Sequence, residues 1–122
     1  MKAARIYGAK DVRVEDVELK NLGTTDVKIE VAWAGICGSD LHAYTDPAGG
    51  LIPIDDVHPL SNRKLPLTLG HEFSGTITEV GSDVTTLKVG DRVCVEPNLR
   101  CGECLECREA NYHLCRNSGA AF

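Results

Sequence analysis

Four cysteines, Cys101, Cys104, Cys107 and Cys115, follow the spacing C-x2-C-x2-C-x7-C, a pattern that gathers four thiolates around one divalent ion. Two-residue gaps return successive sulfurs to the same side of a tight turn, and tetrahedral zinc takes sulfur ligands at about 2.3 Å. Gly102 lets the backbone make that turn. The bacterial iron–sulfur run closes with C-x3-C-P, whereas here a longer gap precedes Cys115 and Arg116 follows it. A disulfide knot needs an oxidising compartment, and Met1-Lys2-Ala3-Ala4-Arg5-Ile6-Tyr7 has no apolar signal core. The expectation is a cytoplasmic protein with a closed structural zinc site.

A second set of donors lies in Gly35-Ile36-Cys37-Gly38-Ser39-Asp40-Leu41-His42 and Gly70-His71-Glu72. Cys37, His71 and Glu72 offer thiolate, imidazole and carboxylate, a set suited to a catalytic zinc that keeps a position open for water or substrate. Spacing alone does not assemble them, since a buried cysteine and a hydrogen-bonded histidine are the ordinary readings of such residues. Ser39 and Asp40 are also favoured N-cap types for a helix starting near Leu41. Cys94, within Val93-Cys94-Val95, reads as a buried or sheet-facing small residue, and His58 and His113 receive no role.

The elements that must position these groups are short strands. Asp26-Val27-Lys28-Ile29-Glu30-Val31-Ala32-Trp33 alternates, with Val27, Ile29, Val31 and Trp33 expected on one face. Asp11 to Glu15 alternates until Val17 breaks parity, which marks a bulge or a strand end, and Ala3 to Tyr7 is expected to pair nearby. Gly75 to Val80 and Asp91 to Val95 are further β-rich runs bounded by turn residues. No long amphipathic helix precedes residue 100, so the chain reads as a mainly β barrel or sandwich. Thr45 to Leu65, with three prolines and two glycines, reads as a long surface loop. After Glu96-Pro97 a cysteine-rich lobe begins that has too few apolar side chains to fold without its metal, with a helical turn or two between Leu105 and His113. The division is therefore 1–96 for the core and 97–122 for the lobe.

The 122 residues have the length of one domain, and a metal cross-link helps a fold of this size. A net charge of −5 argues against nucleic acid and anionic membrane as partners. No apolar stretch approaches the roughly 18 residues that a membrane span needs.

Gly70-His71-Glu72-Phe73-Ser74-Gly75 matches the G-H-E-x-x-G signature of zinc-containing medium-chain alcohol dehydrogenases. Cys37-Gly38-Ser39-Asp40-Leu41-His42, Val89-Gly90-Asp91-Arg92-Val93 and the four-cysteine lobe fall in that family's order. The chain thus resembles the family's N-terminal GroES-like catalytic domain, and within the family its butanediol and polyol dehydrogenases, with threonine dehydrogenases a near second. The resemblance implies that Cys37 and His71 hold a catalytic zinc, with Glu72 as a further ligand or one that exchanges with water, and that Cys101, Cys104, Cys107 and Cys115 hold a structural one. It further implies that Ser39 accepts the alcohol proton, that His42 passes it toward solvent, and that Asp40 orients His71. Hydride would pass from a secondary alcohol or vicinal diol to NAD or NADP. No G-x-G-x-x-G follows a strand, so the nucleotide-binding domain is read as absent from this chain, and a further ligand for the catalytic zinc is expected beyond Phe122. Gly38 stands where some relatives carry an arginine that reaches the cofactor. At full length the expected state is a homo-oligomer, and this chain alone, lacking the nucleotide domain, is expected to be inactive.

Overall fold

Period-two patterning of β-branched residues produces the six strands found in the computed structural model, which describes residues 1–47, 57 and 60–118. Strand β1 (Lys2–Gly8) pairs antiparallel with β2 (Asp11–Asp16) on one edge and with the short β4 (Leu67–Thr68) on the other. A second sheet has the order β3-β5-β6, with β5 (Phe73–Val80) between β3 (Val27–Ala34) and β6 (Arg92–Cys94). Every pairing is antiparallel, so the mainly β expectation holds. Val17 lies just past β2, where its amide donates to the Met1 carbonyl at 2.8 Å, so the parity break marks a strand end. Most of the loop expected between Thr45 and Leu65, His58 included, lies outside the described residues.

Helix α1 (Gly38–Thr45) follows β3 and docks on the first sheet. Ala43 is fully buried against Ile6 of β1 and Leu67 of β4, with Leu65 and Leu69 packed around them. Removing these side chains from water is the dominant favourable term in holding the helix there. A hydrogen bond of 2.7 Å from the Lys10 amide to the Tyr44 carbonyl ties the helix end to the β1–β2 turn. From β4 the chain crosses to the second sheet through Gly70, whose φ of +104° is a conformation that L side chains rarely adopt.

Strand β3 corrects one expectation. Its first half alternates as read, with Val27 and Ile29 half-buried and Lys28 and Glu30 exposed. Between Val31 and Trp33 the register shifts: Val31 pairs with Gly75 and Trp33 with the very next residue, Ser74. An extra residue in one strand turns the following side chain to the other face. Trp33 therefore departs from the Val27, Ile29 and Val31 face and is 80% exposed, in one row with Ser74 and Cys94. Cys94 is likewise exposed rather than buried.

Candidate metal centres

The cysteine-rich turn assembles itself locally. Cys104 precedes α2 (Leu105–Arg108), which contains Cys107, and a 3-10 turn at Tyr112–Leu114 delivers Cys115. Gly102 takes φ +77°, as the turn between the first two cysteines requires. The Cys101 Sγ lies 3.6 Å from that of Cys115 and 4.0 Å from that of Cys107. Tetrahedral zinc with bonds of about 2.3 Å places its sulfurs about 3.8 Å apart, so these distances fit the ion, whereas a disulfide would need about 2.05 Å. All six cysteines are free, and the four sulfurs of the turn lie within 4.8 Å of one another.

Electrostatics also favours a cation there. Amides of Glu103 and Cys104 donate to the Cys101 sulfur at 3.4 Å each, and these bonds, with others from the neighbouring thiols, bring its pKa down to about 6. Burial, then the neighbouring Cys104 and Cys115 thiols, push Cys107 up to about 12. The Cys101 thiolate forms readily while burial and crowding oppose that of Cys107, a conflict that a dication removes by stabilising both thiolates. Outside the sulfurs, Arg116 forks onto both carboxylate oxygens of Glu106 at 2.8 and 3.0 Å, and this holds the Glu106 carboxyl below its usual range. The Arg100 guanidinium stacks over the Tyr112 ring at 4.6 Å. Of the arginines flanking the thiolates, two are thus engaged in packing the turn.

The second cluster depends on the sheet. The β3–β5 ladder runs one step past Ala34 and Phe73, because the Gly35 amide donates to the Glu72 carbonyl at 2.7 Å. That bond sets Cys37, two residues beyond Gly35, close to His71, the residue before Glu72. The ligand atoms of Cys37, His71 and Glu72 come within 4.8 Å of one another, with cysteine and histidine half-buried and glutamate exposed. Thiolate, imidazole and carboxylate at such spacing suit a zinc ion that keeps room for a further group.

Helix α1 brings up the neighbours of this cluster. Cys37 is its N-cap and Asp40 its third residue, and the Asp40 carboxylate accepts from the Cys37 amide at 2.8 Å while the Asp40 amide donates to the Cys37 carbonyl at 3.1 Å. The helix therefore starts three residues earlier than expected, and Cys37, rather than Ser39 or Asp40, is the cap. Asp40, 7% exposed, also turns its other oxygen toward His71 Nδ1 at 3.7 Å, an approach rather than a hydrogen bond. The Ser39 hydroxyl meets His71 Nε2 at 3.1 Å. His42 stands one turn after Ser39 on the same side of α1 and is exposed. The sequence reading missed Gly35, whose role is visible only once β3 and β5 are paired.

Residues 23–122 match the family described as the alcohol dehydrogenase GroES-like domain. Over 99 residues, 80% of this chain and 28% of the relative, the sequence is 54% identical to the (R,R)-butanediol dehydrogenase of Bacillus subtilis. The crystal structure of 2R,3R-butanediol dehydrogenase from Bacillus subtilis superposes with a TM-score of 0.83 at 46% identity, covering 98% of this chain and 33% of that one. A zinc-binding dehydrogenase from Sinorhizobium meliloti, solved bound to NADP, gives a TM-score of 0.77 at 34% identity, covering 98% of this chain and 31% of that one. The chain thus spans about a third of the length of the relatives it matches. With that match over most of its length, and with both donor clusters in place, the chain belongs to the alcohol dehydrogenase GroES-like domain family.

Proposed function

We propose that this chain is the catalytic-domain portion of a zinc-dependent NAD(P) alcohol or polyol dehydrogenase acting on a secondary alcohol or vicinal diol. The observation that carries the reading is the convergence of Cys37, His71 and Glu72 beside a serine hydroxyl already in contact with the histidine. In this reading residues 1–96 form the core and 97–122 the lobe, with Cys101, Cys104, Cys107 and Cys115 holding a structural zinc. When bound between Cys37, His71 and Glu72, zinc supplies Lewis acidity toward an alcohol oxygen. Nδ1 of His71 faces Asp40, which leaves Nε2 as the ligating nitrogen and gives Asp40 the task of orienting the ring.

Ser39 is the group placed to take the hydroxyl proton of an alcohol at this cluster, since its Oγ already lies at the ligand side of His71. His42, exposed and one turn along α1, passes that proton to solvent, since an imidazole can accept a proton at one nitrogen and donate one from the other. No residue of this chain is assigned to the nicotinamide cofactor, which when bound would supply the hydride acceptor.

Oxidation of (R,R)-butanediol and of L-threonine by the polypeptide that carries this domain, followed at the nicotinamide absorbance, tests the reading. Turnover of the diol with Ser39→Ala reduced by about 100-fold or more is the expected result. Preference for threonine would move the assignment to a threonine-type dehydrogenase. Failure to oxidise any alcohol, with both metals bound, would leave the chain as a zinc-binding structural module.

A further inference from the structure

A glycine is retained where a side chain would strain the backbone or strike a neighbour, and Gly35 belongs to the second kind. Its φ lies outside the left-handed region, so alanine fits the backbone conformation there. A Cβ built at Gly35 would lie 2.9 Å from Glu72 Oε2 and 3.3 Å from Glu72 Cβ, with the Glu72 carbonyl at an ordinary 3.5 Å. All three of these atoms belong to Glu72. Gly75, on the neighbouring strand, has a different constraint: a Cβ there would meet the Glu30 carbonyl oxygen at 2.2 Å, so the sheet itself excludes it.

We propose that Gly35 is a positioning residue for Glu72: by presenting no side chain, it leaves the carboxylate the space that keeps it within reach of Cys37 and His71. This rests on the reading of Cys37, His71 and Glu72 as ligands of one ion. The same glycine fixes the Glu72 main chain through its amide, so backbone and carboxylate of Glu72 are both set by residue 35. Alanine keeps the amide and fills the space. The end of a flexible glutamate side chain moves before a strand does, so Gly35→Ala displaces the carboxylate and spares the ladder.

Cobalt(II) titration of the full chain, with the visible spectrum of the bound ion as readout, tests this. The parent takes two equivalents, and Cys37→Ser identifies the one bound at Cys37. Gly35→Ala is expected to weaken that equivalent by about 10–100-fold and alter its spectrum, while the equivalent at the four cysteines is unchanged. In a Glu72→Ala background the same Gly35→Ala change is expected to have no further effect, because the group it displaces is gone. The proposal is overturned if Gly35→Ala leaves affinity and spectrum as in the parent, or if its effect is equal with and without the Glu72 carboxylate. Loss of the four-cysteine equivalent as well also overturns it, since alanine would then be disturbing the fold. If the parent itself takes no cobalt at Cys37, the ligand reading fails first, before any change at Gly35 is made.

Discussion

The two donor clusters are built on different scales. The four sulfurs come from residues 101–115, joined by one glycine turn, one short helix and one 3-10 turn. The Cys37 cluster takes its groups from positions 37, 71 and 72, and depends on a strand ladder, a docked helix and a crossing between sheets. A local site can fold with its ion, because closing short loops costs little chain entropy. An assembled site needs the sheet first, and in exchange its donors are held with half-buried and exposed members side by side. Closed coordination by four like ligands suits a scaffold, whereas three unlike ligands with an open side suit a reagent.

The sharpest way to break this contrast is Cys107→Ser. With three sulfurs left, the turn loses much of the roughly 10–16 kcal/mol that a structural zinc returns to folding in small metal domains. Zinc content is expected to fall by one equivalent and thermal unfolding of the turn to come at a lower temperature. Zinc content and melting equal to the parent would refute the scaffold assignment.

Asp40→Asn probes the other cluster. It weakens the contact toward His71 and the acceptor for the Cys37 amide, so metal affinity there is expected to fall by about 10–100-fold. The four-cysteine equivalent should be unaffected, which elemental analysis after partial chelation would show. Equal loss at both sites would mean that the two are coupled and that the contrast drawn above is too strong.

The smallest effect is expected from Glu106→Gln. Arg116 holds the Glu106 carboxyl below its ordinary value of 4.5, so the folded state favours the ionised form. The stability from this pair is fully present above pH 4.5 and is lost as pH falls through the lowered folded value. The variant should therefore be slightly less stable than the parent at neutral pH, with the difference vanishing in acid, as paired urea titrations would show. Both partners are partly exposed, and solvent screening keeps the change small.

Part of the strand pattern could be read directly, because alternation in Val27–Glu30 reports which side of a sheet faces water, whereas in β2 the alternating Val12 and Val14 are exposed and Asp11 and Glu15 are half-buried. Trp33 could not be read that way. Its face is set by a register shift opposite Gly75 and Ser74, and this bulge leaves no break in the apolar alternation of Val27, Ile29, Val31 and Trp33. The start of α1 was misplaced for a related reason: Cys37 is a poor cap by type, and its role comes from the Asp40 carboxylate reaching back to its amide.

The spacing of Cys101, Cys104, Cys107 and Cys115 determined by itself that four sulfurs would gather in one turn, since every distance involved is spanned by a few residues of chain. Only the tertiary structure decided that Cys37, His71 and Glu72 meet, through the pairing of β3 with β5 and the packing of Ala43 on Ile6 and Leu67. Short-range geometry is written into consecutive residues by bond lengths and turn conformations. Long-range convergence depends on which faces bury together, and that is a property of the whole folded chain.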